Sequence, residues 1–274
     1  MSRRWREIAK LWIGLSLLVA SSTVSAQDGG WRWSFAPYGW GMNIEGDSRL
    51  GPLSSDIDVG FDDLLEGLNF AAMAHVEASR GRWSLIMDGV YGKVSADSGF
   101  GPVAVGPFTI GGTTVGPFAV ARRSFEVQTE MLIVEAAAAY RIGGASDGGL
   151  EKGSAFELLA GARYTDLELE VDFAAFPTVK RGVDYLDPFV GFRLHAPLAK
   201  SWSFRGRGDV GGFGVGSEFS WQAAALFVRQ WGEKREFVVG YRALNQRYET
   251  SGGRFSYEHD LTIHGPIVGV NFKF

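Results

Sequence analysis

The sequence predicts an all-β protein, a transmembrane, antiparallel, up-and-down β-barrel of ten strands that follows a removable N-terminal signal peptide. Three observations predict it: a leader-like first segment, apolar residues that alternate at period two, and no apolar run long enough for a membrane-spanning helix. The 274 residues include 38 Gly and no Cys, which excludes collagen-like and disulfide-stapled proteins. The net charge of −4 argues against a nucleic-acid partner.

The first 26 residues have the order of a secretory signal peptide. A basic segment ends at Lys10, an apolar run covers residues 11–20, and Val24 and Ala26 are small residues at the positions that signal peptidase reads. The apolar run is about half of the ~20 residues that a spanning helix needs. We therefore expect residues 1–26 to be a cleaved signal peptide and residues 27–274 to form the barrel.

The remaining sequence alternates at period two. In the third predicted strand, apolar side chains recur at every second position from Trp83 to Tyr91, with Ser84 among the residues between them. The same pattern covers residues 156–164 and 237–243. Aromatic residues at the ends of such stripes are typical of the interfacial girdles of membrane barrels. These faces are therefore predicted to contact lipid.

Connection lengths divide the chain into ten strands. In bacterial membrane barrels short turns face the periplasm and longer loops face outward. Short turns are predicted at residues 80–81, 196–201 and 232–235, and longer connections at 45–69, 97–124, 171–184, 211–218 and 249–257. The turn at 142–154 is the one departure from this alternation, because it is Gly-rich and longer than the other turns. The predicted strands lie near residues 31–44, 70–79, 82–95, 125–141, 155–170, 185–196, 202–210, 219–231, 236–248 and 258–274.

Two of the long connections leave alternatives open. Residues 103–110 and 113–121 could form a further hairpin and give twelve strands, although Pro107 and Pro117 would place it above the bilayer because proline removes a ladder hydrogen bond. Residues 97–124 are otherwise predicted to be a β-extension of the flanking strands. The acidic connection 45–69 contains a short helical pattern, and it either bridges divalent cations to lipopolysaccharide or is simply solvated.

The C-terminal residues carry the most specific signal. Residues 267–274 alternate up to a terminal aromatic residue and resemble the last strand of bacterial outer-membrane β-barrel proteins, closest to the small OmpA-type and opacity-like barrels. This resemblance implies residence in the bacterial outer membrane, in contact with lipid and lipopolysaccharide. It also implies that Gly269, Phe272 and Phe274 are the assembly signal, read by the Bam machinery after periplasmic chaperones deliver the chain.

The other face of each strand predicts a charged lumen. With the apolar faces outward, five arginines and five carboxylates point inward, and a ten-stranded barrel has little free bore, so a packed ion-pair network is favoured over a solute path. Gly206 and Gly208 fall on the outward face, where a kink would explain them. The predicted lumen network consists of Glu77, Asp88, Glu135, Glu157, Arg163, Arg193, Arg205, Arg207, Asp209 and Arg242.

Motifs for chemistry are sparse. His259 has Ser256, Glu258 and Asp260 near it in sequence, the one cluster that offers both a base and its partners. No spacing of metal ligands or nucleotide-binding motif occurs, so we expect no cofactor and no metal. The sequence therefore predicts a non-enzymatic barrel, either a narrow or gated passive channel or a structural or surface-interaction barrel. The alternative is an outer-membrane lipid or peptide hydrolase or acyltransferase with its site at the rim.

Overall fold

The computed structural model describes residues 30–274 except for 51–52, 101–102, 106–107, 111–112, 116–117, 121–122, 143–152, 174–178 and 251–256. The predicted signal peptide, residues 1–26, lies outside the described residues. Residues Arg32–Phe274 form one compact unit. No helix within the described ranges is long and apolar enough to cross a membrane.

The described chain is almost entirely β-structure, with one short helix. Its elements in chain order are β1 (Arg32–Trp40), β2 (Asn43–Leu50), β3 (Leu53–Val59), α1 (Phe61–Glu66), β4 (Leu68–Arg80), β5 (Trp83–Phe100), β6 (Val103–Val105), β7 (Phe108–Ile110), β8 (Thr113–Val115), β9 (Phe118–Val120), β10 (Arg123–Ile142), β11 (Ala155–Phe173), β12 (Val179–Ala199), β13 (Trp202–Gly211), β14 (Phe219–Gln230), β15 (Arg235–Thr250) and β16 (Tyr257–Lys273).

Ten antiparallel strands close the barrel. The sheet runs in the order β1-β4-β5-β10-β11-β12-β13-β14-β15-β16, and β1 pairs with β16, with Phe35 opposite Phe272, to complete the ring. Every neighbour in the ring follows in chain order apart from the inserted short strands, which is the up-and-down connectivity that the sequence predicted. The fold class is therefore confirmed.

The burial pattern separates a lipid-type exterior from a filled interior. On β5 the side chain of Trp83 is 52% exposed, whereas that of its neighbour Ser84 is 1% exposed. The outward stripe of β5 begins at Trp83 and reaches Tyr91, eight residues or about 26 Å further along the strand. Other exposed aromatic residues near the short-turn rim are Trp33, Tyr140, Phe156, Trp202 and Phe237. An apolar band between aromatic girdles is the exterior of a transmembrane barrel.

Several strands are much longer than a bilayer requires. A spanning strand needs about 9–11 residues, but β5 has 18 residues and β10 has 20. The two pair from Trp83 opposite Tyr140 to Phe100 opposite Arg123. About half of this ladder therefore lies beyond Tyr91. The connection 97–124 starts as a β-extension, as predicted.

The predicted twelve-stranded alternative is resolved by the sheet order. In the part of the chain that the structure describes, β6 pairs with β9 and β7 pairs with β8, so β7 and β8 do form the predicted hairpin. These short ladders are separate from the barrel sheet. The barrel wall therefore has ten strands.

The predicted loop 45–69 is wrong in most of its length. β2 continues the ladder of β16 beyond β1, from Asn43 opposite His264 to Leu50 opposite Tyr257, and β3 folds back on β2. The helix α1 then follows, where the sequence predicted a short helix. The hairpin escaped prediction because its residues are mostly polar, and main-chain pairing with β16 rather than an apolar face holds it in the sheet.

The insertion of β2 and β3 leaves a seam in the wall. The ladder between β1 and β4 runs from Arg32 opposite Ser79 to Pro37 opposite Ala74. Above that point, five successive residues of β4, 68–72, are exposed, and the alternation of the rest of the strand is lost. Because the ladder with β1 ends at Ala74, this part of β4 is an edge that presents unpaired backbone N–H and C=O groups.

Candidate functional site

The structure places all ten predicted lumen residues inside the barrel, and each of them makes an ion pair. Successive strand residues point to opposite faces, so residues of one parity on each strand converge on the barrel axis. The ion pairs join five arginines to Glu77, Asp88, Glu135, Glu157, Asp209 and, in addition, Glu236.

Arg163 lies at the centre of this network and is fully buried. Its Nε donates to Glu135 Oε1 and its Nη2 to Asp209 Oδ1, both at 2.7 Å. Arg207 contacts the second oxygen of each carboxylate at 2.8 Å. Both guanidinium groups also lie over the ring of Phe189, at 5.0 and 5.3 Å from its centroid. Arg163, Arg207, Glu135 and Asp209 thus form a compact charged block across the lumen, which we call the central block.

Arg242 joins this block to the opposite wall. Its Nη1 contacts Asp88 Oδ1 at 3.0 Å, its Nη2 contacts Glu135 Oε1 at 3.2 Å, and its Nε donates to Gln222 Oε1 at 2.8 Å. The guanidinium lies 4.8 Å from the ring centroid of Trp40. Through Arg242, side chains of β5, β14 and β15 are therefore joined by hydrogen bonds and ion pairs to the central block.

A second group of ion pairs, around Arg193, lies nearer the short-turn rim of the barrel. Arg193 binds both oxygens of Glu77, at 2.9 and 3.0 Å, and Glu157 at 2.6 Å. Arg141 lies 3.6 Å from Glu157. His75 lies 3.9 Å from Glu77 and 3.2 Å from Asp88, and so connects these residues to Arg242, which binds Asp88.

A separate group consists of Arg205, Glu236 and Lys273. Both cations lie 2.8 Å from Glu236, which also accepts a hydrogen bond from Asn271. Sequence reasoning missed Glu236, Lys273 and Arg141 as network members. The alternation of faces along a strand could have found two of them, because residues an even number apart share a face. Arg141 lies six residues after Glu135, and Glu236 lies six residues before Arg242.

Beyond the charged block, towards the long loops, the lumen is filled by apolar and aromatic side chains. Tyr185 stacks on Tyr248 with ring centroids 4.8 Å apart, and Gln246 donates to Thr165 at 2.9 Å. Across the described strands, the charged block and this layer together occupy successive levels of the lumen. The buried apolar members are Trp40, Val90, Met131, Ile133, Leu244, Ile263 and Ile267.

The described members of the predicted cluster around His259 lie on two different faces of β16. His259 faces the lumen, is 1% exposed and stacks on Tyr248 at 5.5 Å. Asp260, the next residue in the strand, points to the other face and binds Asn245 and Arg247. Burial lowers the pKa of His259 to about 4, partly offset by the charge of Asp260, so the ring is neutral near pH 7. The side chain of Ser256 lies outside the described residues.

A cavity of about 180 Å³ lies below the central block, at the short-turn end of the lumen. Ser34 and Ala155, both near strand ends at that rim, line its outer part, whereas Arg242 and Asp88 line its inner end. The cavity therefore stops at the charged block. Within the described ranges, no group of His, Asp and Glu side chains is arranged to hold a metal ion.

The three residues of the predicted assembly signal lie where the barrel closes. Phe272 faces outward opposite Phe35 of β1, and Phe274, 69% exposed, donates its backbone N–H to Trp33 at 2.9 Å. Gly269 faces inward, and a Cβ atom there would lie 2.8 Å from Cβ of Tyr38. Glycine therefore lets β1 and β16 approach closely. The recognition of these residues by assembly factors stays a prediction.

A closed ten-stranded antiparallel barrel with an apolar exterior and aromatic girdles is the architecture of bacterial outer-membrane barrels. No protein-family model and no curated protein sequence matches this chain.

Solved structures similar to it are outer-membrane barrels. The translocator domain of the autotransporter NalP from Neisseria meningitidis is 11% identical, with a TM-score of 0.35, over 97% of this chain and 96% of that one. The attachment invasion locus protein Ail of Yersinia pestis is 9% identical, with a TM-score of 0.34, over 90% and 99%. OprG from Pseudomonas aeruginosa is 9% identical, with a TM-score of 0.29, over 90% and 96%. The fold assignment rests on the closed sheet of this chain itself.

Proposed function

We propose that this chain is a non-enzymatic barrel of the bacterial outer membrane whose lumen is closed at rest. The observation that carries the proposal is the central block, in which Arg163 is fully buried between Glu135 and Asp209. The apolar layer beyond it closes the lumen a second time. The chain belongs, on this proposal, with the small barrels that its C-terminal strand resembles.

The closed lumen limits what the barrel conducts. Breaking a buried ion pair costs about 3–5 kcal/mol, and each 1.4 kcal/mol is a factor of about ten in an equilibrium. An arrangement in which one such buried pair is broken is therefore about 100- to 4,000-fold less populated than the closed one. Passive conduction is narrow and intermittent, unlike that of a wide porin.

The surface role follows from the long strands. β5 and β10 continue in register well beyond the apolar band, which supports a stiff β-extension outside the membrane. The apolar band contacts lipid, and the extensions lie at the level of the lipopolysaccharide sugars. Structural support of the envelope or surface interaction is the main role of such a closed barrel. The Bam machinery and periplasmic chaperones are its partners during insertion.

Removal of the central ion pair tests the closed lumen. In planar bilayers, the double variant Glu135→Ala/Arg163→Ala is expected to raise single-channel conductance, because it removes both members of one buried pair and leaves Asp209 bound to Arg207. The matched control is Arg247→Gln, an exposed arginine paired with Asp260 outside the lumen. Equal conductance in all three proteins would contradict a central block that closes the path.

A further inference from the structure

Exposed cations gather at the short-turn rim of the barrel. Within the described turns 80–82, 196–201 and 229–235, six exposed cations accompany a single carboxylate, that of Glu233. The long-loop end has the reverse balance at helix α1, which presents three exposed carboxylates and no cation. An excess of positive charge along one rim attracts anions. The six cations are Arg80, Arg82, Lys200, Arg229, Lys234 and Arg235.

Two of these arginines are neighbours on the outward face of the barrel. Arg229, near the end of β14, is opposite Trp202 of β13 and opposite Phe237 of β15. Its guanidinium group lies 5.7 Å from the ring centroid of Trp202. Arg235 precedes Phe237 by two residues and shares its face, so the two arginines are diagonal neighbours about 7–8 Å apart. Two long side chains at this spacing can bind one phosphate group together.

The two arginines have no carboxylate of their own. Within the described ranges, neither Arg229 nor Arg235 forms an ion pair. Glu236 follows Arg235 in sequence but faces the lumen, where cations of the interior bind it. Glu233 is exposed in the turn, beside the cation of Lys234. Like charges on neighbouring strands repel one another, so the outward pair of arginines favours an anionic partner.

Tryptophan residues set the depth of this pair in a bilayer. The side chain of Trp202 is 37% exposed and that of Trp231 is 63% exposed. The backbone N–H of Trp231 donates to the carbonyl oxygen of Arg235 at 2.8 Å, which places the two residues opposite each other at the rim. Indole rings lie at the level of the lipid headgroups. The guanidinium groups of Arg229 and Arg235 are therefore at the depth of lipid phosphate groups.

We propose that Arg229 and Arg235, with Trp202 and Trp231, form a binding site for the headgroup of one anionic phospholipid. Each guanidinium group presents a planar fork of N–H donors that matches phosphate oxygens. The nearby cations of the turns add attraction for a lipid with net negative charge. This site rests on the proposed residence in a membrane, but it does not depend on a closed lumen, because both arginines lie on the outside of the wall.

The test is native mass spectrometry of the full chain, folded in non-ionic detergent and titrated with phosphatidylglycerol or phosphatidylcholine. We expect the first phosphatidylglycerol to bind at least ~5-fold more tightly than phosphatidylcholine, because one basic residue at a membrane surface contributes about that factor. The double variant Arg229→Gln/Arg235→Gln should lose this preference. Gel mobility before and after boiling establishes that each variant is folded.

The matched control is Arg80→Gln/Arg82→Gln, which removes two charges from the same rim at a turn separated from the site by β16 and β1. It should keep the preference. Equal binding of the two lipids by the unmodified chain would overturn the proposal, and so would an equal loss in both double variants. Displacement of the lipid by inorganic phosphate would assign the arginines to a free anion and would also overturn it. A steadily conducting barrel would contradict the closed lumen and leave these results unchanged, so the two proposals fail separately.

Discussion

Arg163 is the residue of the lumen whose loss is expected to lower the free energy of unfolding strongly. Its guanidinium has no solvent contact and is bound by two carboxylates. Arg163→Met should lower the free energy of unfolding by about 3–5 kcal/mol, because it leaves buried carboxylate charge behind. Urea unfolding in detergent micelles measures this change.

The reference for that measurement is Arg247→Gln, since Arg247 lies at the exposed end of β15 and its ion pair with Asp260 is largely solvated. Little change in stability is expected there. If Arg163→Met is as mild as Arg247→Gln, the central block contributes nothing to folding.

Glycines on the lumen face differ sharply in what they tolerate. A Cβ atom at Gly240 would overlap the carbonyl oxygen of Ala225, whereas one at Gly92 would meet no atom within 4 Å. Gly240→Ala should therefore reduce the folded yield, and Gly92→Ala should not. The heat-modifiable fraction on a gel reports both, and equal yields would show that β14 and β15 can separate without cost.

Single residues also show the reach of sequence reasoning. Parity predicted which face each lumen residue occupies, but it carries no information on register, so partners such as Glu236 for Arg205 could not be assigned.

The predicted kink at Gly208 has another explanation in the structure. A Cβ atom there would lie 3.0 Å from the ring of Phe192, its cross-strand neighbour, so the glycine makes room for an aromatic ring.

At the scale of elements, the strands with one apolar face were predictable and the hairpin of β2 and β3 was not. The apolar stripe of β5 is visible in its sequence because lipid contacts one face only. The hairpin has no such stripe and is placed by its ladder with β16. The true lengths of the strands also escaped prediction, since their outer halves leave the membrane and lose the pattern.

The seam between β1 and β4 makes a prediction about local stability. Residues 68–73 of β4 pair with β5, but the ladder with β1 ends at Pro37 opposite Ala74. Every second amide of residues 68–73 should therefore exchange with solvent quickly, because its N–H points to the unpaired side. Amides of β11 between residues 157 and 165, paired on both sides, are the reference. Uniform protection along β4 would contradict an open seam.

On the scale of the whole molecule, the number of strands agrees with how much of the lumen is filled by side chains. Eight strands leave an interior that side chains just fill, and 16–18 leave an aqueous channel. Ten strands here enclose a charged block and an apolar layer, with a cavity of about 180 Å³ at the short-turn end. The strand count and the inward charges were predictable from the sequence. The apolar layer was not, because its members come from strands whose register the sequence does not reveal.

Single-channel recording of the unmodified protein in a planar bilayer tests the closed lumen most directly. We expect small, intermittent openings, because conduction requires the buried pairs of Arg163 and the apolar layer around Trp40 to move together. Large, steady, porin-like conductance from the unmodified chain would contradict the account.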